Sequence, residues 1–224
     1  MNVSAVFGRR AMLALAGGFA LAAANVAPAA ASQATEQYVQ TNAQLVLTNL
    51  AQAKSAAQRQ AEFSTLMDKF ADMPRVADYV LGKYARTARA NPAQYKLWQD
   101  TFKQYGLAVY ESQLDQYRGR TIKVLAGKSE DSTINGREYS VVKSQIVLPT
   151  GQPFLVNWRL LKEGDSWRVV DVALKLDETV IWLAIQQQQD FLARLDKNGG
   201  DIAKLTTVVQ QLTAEMRKQI SARG

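Results

Sequence analysis

The stretch from Pro92 to Gly119 limits what this chain can fold into more than any other segment. Tyr95, Trp98, Phe102, Tyr105 and Val109 recur at three- and four-residue steps, the spacing of one helical face. Past Gly106 a second row follows: Leu107, Tyr110, Leu114 and Tyr117. At about 100° per residue the two rows lie on adjacent sides, so the apolar arc reaches roughly 200°. An ordinary surface helix hides a stripe about half as wide. Such a helix has to be covered on two sides, by the rest of the protein or by something apolar that the protein carries. The first row is expected to face a sheet or a ligand, and the second to pack on other helices.

Helices precede this one. The spacing predicts a helix over 35–55, with Tyr38, Leu45, Val46 and Leu50 as its apolar positions. A second, over 57–70, places Phe63, Leu66, Met67 and Phe70 on one face. Pro74 suits the first turn of a third, over 75–84, which presents Val76, Val80, Leu81 and Tyr84. Asn91 and Pro92 are a good cap and a good first residue for the long helix.

After Gly119 the period changes from helical to alternating. Strands are expected over 121–126, 137–148, 154–161 and 167–176. Asn135-Gly136, the turn at 149–151 and the turn at 163–165 separate them, and turns this short join antiparallel neighbours. Two helices parted by Asn198-Gly199-Gly200 fill 177–217, with Asp201 capping the second. Helices flanking one four-stranded antiparallel sheet make an α+β fold. The order of elements is that of cone-shaped folds, in which a curved sheet and its helices enclose a cavity.

The N-terminus reads as a leader. Arg9-Arg10, the uncharged run 11–24 and the small residues 29–32 match a cleavable export signal over residues 1–31. The arginine pair with a weakly apolar core suits the twin-arginine route about as well as the general one. Residues 32–224 are then expected to form a single exported domain. With no Cys, neither a lipoprotein anchor nor a disulfide is available, and stability has to come from a core. The net charge of +7 falls by two once the leader arginines are set aside. That modest excess suits acidic lipids or an acidic partner; no basic block with interleaved aromatics points to nucleic acid.

Composition also narrows the chemistry. The chain has no His and no Cys, which removes His-based triads, thiol nucleophiles and the usual transition-metal ligands. No glycine loop between strand and helix suggests nucleotide binding. Asp171, inside Val169-Val170-Asp171-Val172, is the one carboxylate in an apolar strand. Beside a tyrosine it could be a tuned base. Alternation sets it out of phase with Val170 and Val172, on an outward face with Trp167, where it would pair with Arg168 or a neighbouring strand. No catalytic residue and no metal site is therefore assigned.

The positive feature is the apolar set. Val142, Ser144, Ile146 and Leu148 share one strand face, and small Ser144 would leave room beneath the helices. Phe154, Val156, Trp158 and Leu160 share another, as do Val170, Val172 and Leu174; Val180, Trp182, Leu183 and Ile185 extend it on the next helix. Core and cavity both need such linings. A lipid-binding role would draw on Phe70, Val80, Tyr84, Trp98, Phe102, Tyr105, Val109, Val142, Ile146, Phe154, Val156, Trp158, Val170, Val172, Leu174 and Trp182.

Several runs carry a family resemblance. They are Phe70-Ala71-Asp72-Met73-Pro74-Arg75-Val76-Ala77-Asp78-Tyr79-Val80-Leu81-Gly82-Lys83-Tyr84, then Asn91-Pro92-Ala93-Gln94-Tyr95, Trp98-Gln99-Asp100-Thr101-Phe102 and Tyr117-Arg118-Gly119. The strand pair Val156-Asn157-Trp158-Arg159-Leu160 and Trp167-Arg168-Val169-Val170-Asp171-Val172 completes the pattern. The chain resembles the MlaC-like family, the toluene-tolerance or Mla-pathway periplasmic phospholipid-binding proteins and their hopanoid-associated relatives. The resemblance implies an NTF2-like cone with acyl chains between sheet and helices. It also implies a periplasmic lipid carrier that uses no cofactor. Its partners would be an inner-membrane ABC-type lipid transporter and an outer-membrane lipoprotein complex. After the last strand the family's Glu-Gly-Val-Ser-like turn and Arg-bearing helix are replaced by Ala173-Leu174-Lys175-Leu176-Asp177-Glu178-Thr179-Val180 and the Gln186–Gln189 run. A hopanoid or other terpenoid lipid is therefore an alternative ligand, and an NTF2-like enzyme acting through Asp171 an alternative function.

Overall fold

The computed structural model describes residues 33–148, 151–176 and 179–222. The expected leader, Pro149 and Thr150 of an expected turn, and Asp177 and Glu178 at the start of an expected helix lie outside the described residues. The helices are α1 (Gln33–Gln52), α2 (Ala56–Phe70), α3 (Met73–Leu81), a short α4 (Ala85–Arg89), α5 (Pro92–Leu114), α6 (Leu183–Lys197) and α7 (Ile202–Ala222). The strands are β1 (Ile122–Val124), β2 (Glu130–Ile134), β3 (Arg137–Val147), β4 (Pro153–Glu163), β5 (Ser166–Leu176) and β6 (Thr179–Trp182).

The helix starts follow from side chains that replace missing backbone acceptors. Asn91 Oδ1 accepts from Gln94 N ahead of Pro92, Asp72 Oδ1 from Arg75 N, Ser55 Oγ from Gln58 N, and Asp201 Oδ1 from Lys204 N. α5 runs as its periodicity predicts and ends in a 3-10 turn before Gly119, whose φ of 69° a side chain would oppose.

All strand pairs are antiparallel, in the order β1-β3-β4-β5-β6, with β2 also on β3. The sheet thus holds two strands more than the four expected. β2 and β3 form the Asn135-Gly136 hairpin, and both turn residues have positive φ (52° and 73°), as a type I′ turn requires. Every residue of β2 is exposed, so no apolar alternation marks it. β6 takes Val180 and Trp182 out of the helix in which they were expected. Thr179-Val180-Ile181-Trp182 is β-branched and aromatic, and pairs with 173–176 before α6 starts at Leu183.

One face of the sheet is covered by helices: Ser140, Val142, Ser144, Ile146, Val156 and Leu160 are fully buried. On α1 the buried stripe is Val39, Ala43, Val46, Leu47 and Leu50, while Leu45, expected inside, is 40% exposed. The half-buried flank of α1 beside that stripe does a backbone's work. Gln40 accepts from Val124 N and donates to the Ile122 carbonyl; Gln44 accepts from Ile122 N and donates to the Arg120 carbonyl. One turn earlier Glu36 accepts from Gly127 N and Ser129 Oγ. This i, i+4, i+8 ladder closes the outer edge of β1, which would otherwise offer unpaired amides to another chain.

The two rows of α5 exchange the roles expected of them. Trp98, Phe102 and Tyr105 pack against Phe191 of α6 (ring centroids 5.8, 6.3 and 5.6 Å), not against the sheet. The Trp98 indole is buried and donates to the Ala77 carbonyl at 3.0 Å. The second row turns Tyr110 and Leu114 toward the sheet side. Periodicity fixes which residues share a face, but both faces are apolar, so it leaves open what each one meets.

A β-bulge resets the phase of β5. Arg159 pairs with Asp171 and Leu160 with Val169, leaving Val170 as the extra residue. Trp167 and Val169 therefore join Val172 and Leu174 on the helix-facing side, where Trp167 and Val169 pack on the core. The expected outward position of Trp167 is corrected by this one residue.

Candidate functional site

Between that sheet face and the helices lies a small apolar hollow of about 60 Å³. α1 contributes Tyr38, Val39, Asn42, Ala43 and Val46; α2 adds Met67 and Phe70; α3 adds Met73 and Val76. Tyr110, Gln113 and Leu114 of α5 close it on one side, and Trp158, Val169, Val170, Asp171, Val172 and Leu174 form the sheet wall, with Leu183 at the start of α6. At about 10–15 Å³ of centre-accessible space per water, the hollow as it stands would hold only a handful of water molecules.

Of the residues expected to line a lipid site, Phe70, Trp158, Val170, Val172 and Leu174 meet here. The others lie elsewhere. Val80, Val142, Ile146 and Val156 are fully buried in the core, and Phe154 stacks on Tyr117 at 4.7 Å. Trp98, Phe102 and Tyr105 form the cluster with Phe191, and Val109 is half-buried on α5 outside the lining. Tyr84 points toward α6, donating to Asp196 at 2.6 Å, and Trp182 lies under the Arg159 guanidinium at 4.0 Å. Sequence reasoning missed the α1 wall. Its signal was present, since Val39, Ala43 and Val46 stand at i, i+4 and i+7, but alanine is easily passed over in a helix rich in it.

Ser144 does not leave space. Its hydroxyl donates to the Val156 carbonyl and accepts from the Trp158 indole at 2.8 Å, so it orients the tryptophan on the sheet wall. Tyr38 is fixed likewise, its hydroxyl donating to the Phe70 carbonyl at 3.3 Å.

Asp171 is buried, 2% exposed, rather than outward-facing, because α6 begins over it. Its Oδ1 accepts from Val172 N at 2.8 Å and Ala184 N at 2.9 Å. It thereby serves as the acceptor for the first turn of α6, a position where negative charge is favoured. Oδ2 lies 3.5 Å from Arg159 on the neighbouring strand, not Arg168. Burial raises its pKa above the ordinary carboxylate value, opposed by the Ala184 amide, Arg159 and the Val172 amide. Tyr110 shares the hollow, and burial, with Asp171's charge second, pushes its phenol upward. The carboxylate beside a tyrosine thus exists, but its Oδ1 is spent on a helix cap and its Oδ2 faces Arg159.

Among the described residues no group of acidic side chains could hold a metal ion, and no helix is long and apolar enough to cross a membrane.

No protein of curated function matches the chain. Among solved structures, a phospholipid-binding protein from Ralstonia solanacearum, determined in complex with a phospholipid, is 22% identical with a TM-score of 0.62. The alignment covers 81% of this chain and 97% of that one, and establishes a shared fold of NTF2-like, α+β type. The sequence profile of the MlaC protein family matches residues 38–213, a span that contains every residue lining the hollow, from Tyr38 to Leu183. On that match, the chain belongs to the MlaC protein family.

Proposed function

We propose that this protein is a periplasmic lipid carrier and that the hollow between α1, α2, α5 and the β4–β5 face receives phospholipid acyl chains. One observation carries the reading: that hollow is walled by apolar side chains from seven separate elements, and its one buried carboxylate is already engaged. Family membership and the phospholipid-bound structure of similar fold support it.

Each buried methylene contributes about 0.8 kcal/mol, so a long acyl chain does not cross water unaided but can cross inside such a wall. A hollow of about 60 Å³ has to widen to do this. Widening exposes apolar surface unless a chain fills it, so loading and opening are coupled and a partner that favours the open form promotes exchange. In this proposal the export signal delivers residues 32–224 to the periplasm. There the carrier passes lipid between an inner-membrane ABC-type transporter and an outer-membrane lipoprotein complex.

Gently isolated protein is expected to show, in native mass spectrometry, a species heavier than the polypeptide by one lipid. Organic extraction should release that lipid and tell a diacyl phospholipid from a terpenoid. A bare polypeptide mass with an empty extract would contradict the proposal.

A further inference from the structure

A second hollow, of about 460 Å³, lies around the edge of β5 from the first. The two share Val76, Val170 and Asp171, so the partition between them is α3 against the bulged stretch of β5. Among the described residues β6 pairs only with 173–176 and Ala71 bridges Val169, which leaves 170–172 of the β5 edge without a strand neighbour. α3 is fixed there chiefly at its start, where Asp72 N donates to the Val169 carbonyl at 3.0 Å.

The linings differ in chemistry. Where the first hollow is almost wholly apolar, the second presents Arg159, Arg75 and the side chains of Tyr79, Tyr139 and Ser132. Arg75 is fully engaged, 2.6 Å from both Asp72 and Glu163. Arg159 is not. Its face rests on Trp182 at 4.0 Å, and its contact with Asp171 is a single long one of 3.5 Å. Asp171 Oδ1 is occupied by two backbone amides and its Oδ2 makes only that one long contact, so the carboxylate does not use up the guanidinium's donors. Neither Tyr79 nor Tyr139 donates its phenol to another described residue. A planar cation already positioned on an aromatic ring, with spare donors and two phenols beside it, suits a phosphate group.

We infer that this second hollow is a phosphate subsite, and that Arg159 selects phosphate-bearing ligands. It rests on the reading that the first hollow takes acyl chains, and assigns the lipid's phosphate to the polar side of the Val76–Val170–Asp171 partition. A charged hydrogen bond of this kind changes affinity by about tenfold or more.

The test compares delipidated wild type, Arg159→Gln and Tyr139→Phe. Each is offered vesicles doped with phosphatidylglycerol or with diacylglycerol of the same chains, and separately free glycerol phosphate. Wild type is expected to prefer phosphatidylglycerol at least tenfold. Arg159→Gln should bring that ratio close to one, and Tyr139→Phe should lower it severalfold, with near-ultraviolet circular dichroism confirming the fold of each. An unchanged ratio in both variants overturns the inference while leaving the carrier reading intact. Failure of wild type to take up either lipid overturns the carrier reading itself, and the inference with it. Arg159-dependent binding of glycerol phosphate alongside an unchanged lipid ratio assigns the site to a soluble ester and overturns the headgroup role.

Discussion

Ala43→Phe is expected to reduce bound lipid at least tenfold. Ala43 is 6% exposed on α1 and lines the apolar hollow, so a phenyl ring at this position enters the space an acyl chain would use. If the ring denies contact to only two methylenes, the loss is about 1.6 kcal/mol, already more than a factor of ten. Overpacking costs about 1–3 kcal/mol of stability, which a domain of this size tolerates. Leu45→Phe, on the exposed side of the same helix, is the control and should leave lipid content unchanged. Lipid quantified per mole of purified protein, beside a urea unfolding curve, separates loss of binding from loss of fold. Equal lipid content in both variants would remove the hollow from the account.

Asp115→Ala is expected to cost about 3–5 kcal/mol of stability, a large fraction of the roughly 5–15 kcal/mol margin of a typical domain. Asp115, at the end of α5, faces Arg59 of α2 at 3.4 Å and Arg118 at 3.0 Å. Arg59 is 5% exposed, and its Nε has no hydrogen-bond partner among the described residues. Removing the carboxylate leaves a buried guanidinium with nothing to balance it. By contrast, Lys96→Ala removes a pair that is 76% and 63% exposed on one face of α5, and should cost at most about 0.5 kcal/mol. Urea midpoints at unchanged slope report both values. A small loss for Asp115→Ala would mean that Arg59 finds water or another acceptor once released.

The helical half was legible in the sequence because its signals are local. Asn91-Pro92, Asp72 ahead of Pro74, and Asp201 each cap a helix where their chemistry requires it. The strands were legible where one face is buried and the other is not, as in β3 and β4. β2 escaped because it is exposed throughout, and β6 because a short apolar run suits strand or helix equally. The bulge at Val170 is a property of pairing, invisible until β4 lies beside β5; it moved Trp167 and Val169 inward. Asp171 was misplaced for a related reason. Strand phase set it on the face away from Val172, but α6 returns over that face and takes the carboxylate as its cap.

The same limit applies to the site. Apolar periodicity found the strand wall, including Trp158, Val172 and Leu174, because alternation identifies an inner face. It set the first row of α5 toward the sheet or ligand, whereas that row packs on α6 and the second row lines the hollow, since choosing between two apolar faces depends on where α6 packs. Phe191, which decides the matter, lies far along the chain from Trp98 and Phe102.

The central claim is that acyl chains lie between α1, α5 and the β4–β5 face. A phospholipid bearing a photoactivatable diazirine near the end of its chain tests it directly. After loading, irradiation and digestion, the account predicts cross-links in peptides containing 38–46, 110–114 and 169–174. Labelling centred instead on Trp98, Phe102, Tyr105 and Phe191, or scattered over exposed surface, would contradict it.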